Sequence, residues 1–297
     1  MSAMRARFYD LARRALEEDE RVAVVLADIG AGEVPPHPRR YNVGIREQLM
    51  IGLAAGLALE GLRPVVHSYA PFLVERPFEQ VKLDLGHQDV GAVLVSTGAS
   101  FDAARAGRTH QAPEDVALIA SLPGWTIHVP GHPRELDGMF ERALAGEDRV
   151  YIRLDQLANR EPVDGDGLVV VRRGSAGAPL VVAVGPALDE TLAATADLDV
   201  DVAYVATVRP FAAEGLRAAL RGTDVVLVEP YLAGTSAAEV ADALRDRPHR
   251  LLSVGIRNPE LRRYGTPADH RAAHGLDAAG IALAIRDMAQ RGTLSVR

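Results

Sequence analysis

Short apolar runs without polar alternation, spaced by helix-length segments, most narrow what this chain can fold into. Residues 21–28, Arg-Val-Ala-Val-Val-Leu-Ala-Asp, contain one such run. A strand with one wet face alternates polar and apolar residues. A strand covered on both faces does not, and such strands belong to parallel sheets flanked by helices. Similar runs return at Arg63–Tyr69, Val90–Thr97, Thr126–Pro130 and Val150–Leu154. Helical patterns lie between them: Arg5–Glu18, with Phe8, Leu11, Ala12, Ala15 and Leu16 on one face, then Arg46–Glu60, a segment turning helical near Arg76, and Pro133–Leu144. From Leu180 the alternation restarts, with strands at Leu180–Val184, Val200–Val205, Asp224–Val228 and Leu251–Val254 and a last helix over Ala278–Ala289. This predicts an α/β protein of two consecutive open, mostly parallel sheets with helices on both faces. The expected division is a first domain over 1–160, a Gly-, Asp- and Arg-rich linker over 161–178 holding one short strand (Leu168–Val171), and a second domain over 179–297.

Composition excludes several functions. The 297 residues carry 33 Lys+Arg against 40 Asp+Glu, a net charge of −7, which offers no surface for nucleic acid or an anionic membrane. With no cysteine, disulfides, thiolate metal sites and a cysteine nucleophile are ruled out. Lys82 is the only lysine and sits in a helical pattern, which disfavours Schiff-base and P-loop chemistry. No apolar run approaches the ~20 residues of a membrane span and the N-terminus has no signal-peptide core, so a cytoplasmic protein is expected.

The candidate chemistry centres on Asn42-Val-Gly-Ile-Arg-Glu-Gln48. It follows a proline-rich loop and opens a helix whose body, Leu49 to Leu59, is apolar all round, as expected of a helix buried on most faces. Gly52 and Gly56, one turn apart, would let another backbone approach closely. Glu47 falls in the first turn, where free N–H groups and the helix dipole favour a carboxylate. From the residues alone it is either a charge resting on that dipole or a group bonded to a ligand. Asp28 ends the first strand in a glycine-rich turn, at the strand edge where ligands gather in open α/β sheets; a turn aspartate holding its own loop fits equally. Tyr69 and Phe72 stand at a strand-to-helix corner. His67, within its strand, reads as structural.

Gly44-Ile-Arg-Glu-Gln resembles the Gly-Ile-Arg-Glu-His of transketolases and a related motif of deoxyxylulose phosphate synthases. Gly107-Arg-Thr-His-Gln111 resembles the Gly-Pro-Thr-His-Gln of transketolases, and Phe72 falls on their Thr-Phe segment. Tyr264-Gly-Thr-Pro and His274-Gly-Leu-Asp-Ala-Ala-Gly-Ile281 resemble their last domain, which helps dimer packing and carries little chemistry. The resemblance implies thiamine diphosphate as cofactor. Glu47 would bond the aminopyrimidine N1′ and favour the tautomer that takes the thiazolium C2 proton, Phe72 would stack on that ring, and Tyr69, Asp28 and Ile45 would line it. His110 would reach the donor sugar as a second catalytic residue. Arg76, Arg108 and Arg153 are the substrate candidates, with the arginine-bearing helix apparently shifted by one residue at Arg76.

The resemblance covers the C-terminal part of a full transketolase. The metal-binding Gly-Asp-Gly…Asn motif has no convincing copy, the one Gly-Asp-Gly being at 165–167 in the linker. The chain therefore reads as the smaller subunit of a split transketolase, transferring a two-carbon ketol unit. A large N-terminal subunit would hold Mg2+ or Ca2+ and the diphosphate, in an α2β2 complex, so no metal ligand is expected here. Departures cluster at the sugar-phosphate end: Gly98 where a histidine is usual, Gly32 for a serine, Ala106 for an acid, and Arg153 or Asp155 near an expected arginine. The alternatives are the β subunit of a 2-oxoacid dehydrogenase, a synthase-like enzyme, and a non-catalytic partner-binding relic.

Overall fold

The computed structural model describes residues 1–293, and each apolar run of the sequence forms a strand in it. The strands are β1 (Val22–Leu26), β2 (Arg40–Asn42), β3 (Arg63–Tyr69), β4 (Val93–Thr97), β5 (Trp125–His128), β6 (Arg149–Arg153), β7 (Leu168–Arg172), β8 (Leu180–Val184), β9 (Asp201–Val205), β10 (Thr207–Arg209), β11 (Asp224–Leu232) and β12 (Arg250–Ile256). One sheet runs β10-β5-β6-β4-β3-β1-β2, parallel except for β10. The other runs β12-β11-β8-β9-β7, parallel except for β7.

Two strands escape the sequence reading. β2 has the proline-rich loop immediately before it, and its three residues pair only at the edge, beside β1. β10 follows β9 of the second sheet directly, yet pairs antiparallel with β5 of the first. β7, expected within the linker, closes the edge of the second sheet against β9.

The helices are α1 (Ala3–Glu18), α2 (Glu47–Leu59), α3 (Phe78–Gln80), α4 (Asp115–Ala120), α5 (Pro133–Ala145), α6 (Leu188–Ala194), α7 (Ala213–Ala219), α8 (Ala237–Ala243), α9 (Pro267–Ala273) and α10 (Ala278–Thr293). Short α3 lies between two π-helical stretches, Pro71–Glu75 and Val81–His87. Helix α1 starts at Ser2, whose side chain accepts the Arg5 N–H, and lays Phe8, Leu11 and Leu16 on one face of the first sheet beside Phe140 of α5. Burying each large apolar side chain contributes ~1.5–3 kcal/mol, enough to fix the helix in place. The opposite face packs α2 through Met50, Ile51, Ala54 and Ala55, and that core continues into Leu180, Val182, Val205 and Tyr231 of the second sheet.

Helix α2 departs from expectation. It is buried on one face rather than most, because Ile45 just before it (72% exposed), Leu49 (53%) and Leu59 (58%) face outward. A methyl built on Gly56 would meet nothing within 4 Å, so the close backbone approach expected at Gly52 and Gly56 is not made within this chain.

Candidate active site

Parallel strands aim their carboxyl ends at one edge, and the candidate residues of the first sheet collect there because they follow β1, β3 and β4. After β1, Asp28 takes a left-handed backbone (φ 63°). That conformation is held by Asn42, whose Oδ1 accepts the Asp28 N–H at 2.9 Å and whose Nδ2 donates to Asp28 Oδ1 at 3.1 Å. Asp28 is exposed, shaping the β1 turn.

Glu47 opens α2 with only 2% of its surface exposed. Its carboxylate would be costly to bury alone. Arg76 Nη1 donates to Glu47 Oε1 at 2.6 Å, a charge-assisted bond. The arginine also lies over Phe72, with its guanidinium carbon 4.1 Å from the ring centre. Arg76 closes the π-helical turn Pro71–Glu75, its N–H donating to the Pro71 carbonyl at 3.0 Å. Gln48 Nε2 fixes the turn by donating to the Arg76 carbonyl at 3.2 Å.

His110 sits in a 3₁₀ turn, Arg108–His110, at the end of the long loop after β4. Its ring stands edge-to-face to Phe72 at 5.0 Å and to Tyr69 at 5.9 Å, and Nδ1 lies 2.9 Å from Thr109 Oγ1. Tyr69 and Phe72 are 6.0 Å apart. Glu47, Phe72, Tyr69, Arg76 and His110 thus form one linked group, with Ile45 exposed beside it. Gly98, left-handed at φ 72°, backs onto Tyr69: a methyl there would lie 2.2 Å from Tyr69 Cδ1. The tyrosine ring fills the space that a side chain at position 98 would need.

Two expected substrate residues are otherwise engaged. Arg153, a substrate candidate, is fully buried in this chain. Its Nε donates to Asp115 at 2.9 Å, Nη1 to Asp155 at 3.1 Å and Nη2 to Ser100 Oγ at 2.5 Å. Burial acts to lower its pKa, but Asp115 and Asp155 outweigh burial and hold it above its ordinary value. Arg108 is held three ways, by Glu114 (2.7 Å), Glu260 (2.8 Å) and the Gln111 carbonyl (2.7 Å), which leaves its donors engaged within the protein. His67 matches its structural reading: it is buried between the Val95 carbonyl (2.8 Å) and Tyr9 OH (3.1 Å), and burial lowers its pKa to about 3.

Two carboxyls had no signal in the sequence, since only tertiary burial makes them unusual. Glu75, beside Arg76, is raised to about 7 by burial and then by Glu114. Asp102 is raised well above the carboxylate range by burial and then by Asp155, with which it lines a cavity between the two sheets.

The cluster offers a buried carboxylate, an aromatic face and a planar cation bridging the two. A planar nitrogen heterocycle with N–H donors fits this set, so the residues suit an aminopyrimidine. Among the described residues, no three His, Asp or Glu side chains converge as a metal site requires.

Residues 1–161 match the transketolase pyrimidine binding domain. The chain is 52% identical over 282 residues to an uncharacterized 33.6 kDa protein in the fasciation locus of Rhodococcoides fascians, covering 91% of this chain and 90% of that one. It is 30% identical to the 6-deoxy-6-sulfo-D-fructose transketolase subunit SqwH of Clostridium sp. (strain MSTE9), covering 86% of this chain and 85% of that subunit. A solved split gene transketolase, an inactive beta4 tetramer, superposes with a TM-score of 0.79 at 23% identity, covering 96% of this chain and 97% of that one. The chain belongs to the transketolase family and has the extent of a split-enzyme subunit that carries the pyrimidine-binding domain.

Proposed function

We propose that this chain is the smaller subunit of a thiamine-diphosphate-dependent transketolase, moving a two-carbon ketol unit once a large subunit supplies the diphosphate and metal half. We read 1–160 as the pyrimidine-binding domain and 179–297 as the C-terminal domain. The observation that carries the proposal is the carboxylate of Glu47, 2% exposed and bridged by one planar cation to the Phe72 ring. When bound, thiamine diphosphate supplies the carbanion chemistry. Glu47 holds a proton at the aminopyrimidine N1′, Phe72 supports the ring face, and His110, held against Phe72 and Tyr69, hydrogen-bonds the donor's oxygen near the reacting carbon.

The outward apolar residues Ile45, Leu49 and Leu59 support a partner there, because they continue directly from the residue before Glu47. The sugar end supports an acceptor without phosphate: Tyr69 fills the Gly98 position, while Arg153 and Arg108 are committed to carboxylates. Reconstitution with the large subunit, assayed on a panel of ketose donors and matched phosphorylated and free acceptors, tests the reading. The isolated chain should show no turnover, and robust ketol transfer by it alone would overturn the split-site assignment.

A further inference from the structure

Arg76 makes both contacts that the proposed function assigns to the cofactor ring, one to Glu47 and one to Phe72. A guanidinium and an aminopyrimidine protonated at N1′ share the features this site recognises: both are flat, both donate an N–H to a carboxylate in their own plane, and both stack on an aromatic face. Here the guanidinium bonds Glu47 at 2.6 Å and lies 4.1 Å over Phe72, so one group already makes both contacts. We propose that Arg76 is an internal stand-in for the aminopyrimidine, satisfying Glu47 in the free subunit and swinging out when the cofactor ring enters. The proposal rests on the cofactor assignment above and deepens it.

The geometry allows that exchange. The Glu47 side chain is 2% exposed and has little water to replace a lost partner, whereas 39% of the Arg76 side chain is exposed and has solvent to move into. The Arg76 backbone is anchored at both ends, its N–H donating to the Pro71 carbonyl at 3.0 Å and its carbonyl accepting from Gln48 at 3.2 Å. Only the side chain has to move. Glu75, the neighbouring residue, is grouped electrostatically with Glu114 and Arg108 rather than with Glu47, so it does not replace Arg76 there. A competing internal ligand lowers apparent affinity by the fraction of time it is in place, so ~90% occupancy would weaken cofactor binding about tenfold.

The test is calorimetric titration of the full chain with thiamine diphosphate and Mg2+, comparing wild type with Arg76→Met, Arg76→Lys and Glu47→Gln. Methionine keeps the apolar stem but has no donor. Arg76→Met should bind about three- to tenfold tighter, Arg76→Lys should lie between, and Glu47→Gln should bind more weakly than wild type. Weaker or unchanged binding by Arg76→Met would overturn the stand-in while leaving the cofactor assignment intact, provided Glu47→Gln still loses affinity. No binding by any form, alone or with the large subunit, would overturn the cofactor assignment and the stand-in with it. If Arg76→Met fails to fold, wild type decides: thiamine diphosphate should speed phenylglyoxal modification of Arg76, read by peptide mass spectrometry. Protection or an unchanged rate would overturn the proposal.

Discussion

Replacing Arg153 by methionine should destabilise the whole protein rather than alter substrate use. The guanidinium is fully buried and binds Asp115, itself fully buried, together with Asp155 and Ser100. Ser100 in turn donates to the Pro230 carbonyl at 2.7 Å, so the network joins the loop after β4 to the second sheet. Removing one member of a buried pair leaves an uncompensated charge, which typically costs ~3–5 kcal/mol. At ~2 °C per kcal/mol for a chain of this size, Tm should fall by ~6–10 °C. The lost stacking on Tyr231 (5.5 Å) adds at the low end of the cation–π range.

Thermal and urea unfolding measure this directly, and the double mutant with Asp115→Asn isolates the cause. If the stranded charge carries the cost, removing it should recover ~1–3 kcal/mol, a coupling expected only of groups in contact. A Tm within ~2 °C of wild type would refute the reasoning. Should that stable variant also lose its preference for a phosphorylated acceptor, Arg153 would be the substrate contact that the sequence suggested.

Glu47→Gln should leave the unfolding curve nearly unchanged but lower reconstituted turnover by at least ~10²-fold, with C2 proton exchange falling in parallel; wild-type exchange would assign the work to another group. Glu75, raised to about 7 from 4.5, binds its proton more tightly folded than unfolded. Its stabilising contribution is therefore full below about 4.5 and lost as pH rises through about 7. After a discount for its partial exposure, Glu75→Gln should add ~1 kcal/mol at pH 8 and flatten the stability profile between the two pKa values, which urea titrations across that range would show. Leu49→Glu, on the outward face of α2, should weaken assembly with the large subunit without changing the chain's own unfolding midpoint; unchanged assembly in sedimentation runs would remove that face from the interface.

Much of the fold was legible because fully apolar strands report burial on both faces without needing to know their partners. β10 was not legible: Thr207–Arg209 carries no apolar run, and what makes it a strand is β5, distant in the sequence. The position of Glu47 could be read from helix-start chemistry, and the structure places it there. Its pairing with Arg76, 29 residues on, is a tertiary contact that no local pattern in the sequence reveals. The apolar surround of α2 misled, since hydrophobicity shows that a face will be covered but not whether its own chain covers it. The partners of Arg153 were hidden for a related reason: a strand-end arginine looks the same in sequence whether it meets a ligand or an internal aspartate.

The second half of the chain, expected to serve mainly packing, also braces the candidate site. Arg108 replaces the proline that the family motif has before Thr109, exchanging a ring-fixed backbone for a side-chain staple. That staple reaches Glu260 beyond β12 as well as Glu114 at the start of α4. Next to it, Gly107 is left-handed (φ 75°) and lies against Tyr264, whose Cε1 would be 3.3 Å from a methyl at that position. Further back, Ser100 reaches the Pro230 carbonyl while taking a bond from Arg153. The loop carrying His110 is therefore tied to Pro230 in β11 and to Glu260 between β12 and α9, and packs beside Tyr264. A histidine that must meet a donor oxygen within hydrogen-bond reach gains from such bracing, because small displacements cost large factors in rate. On the function proposed above, orientation of the donor would fall to this braced histidine and to the ring group around Phe72. The second half of the chain would then serve the proposed chemistry by holding His110 still rather than by touching substrate.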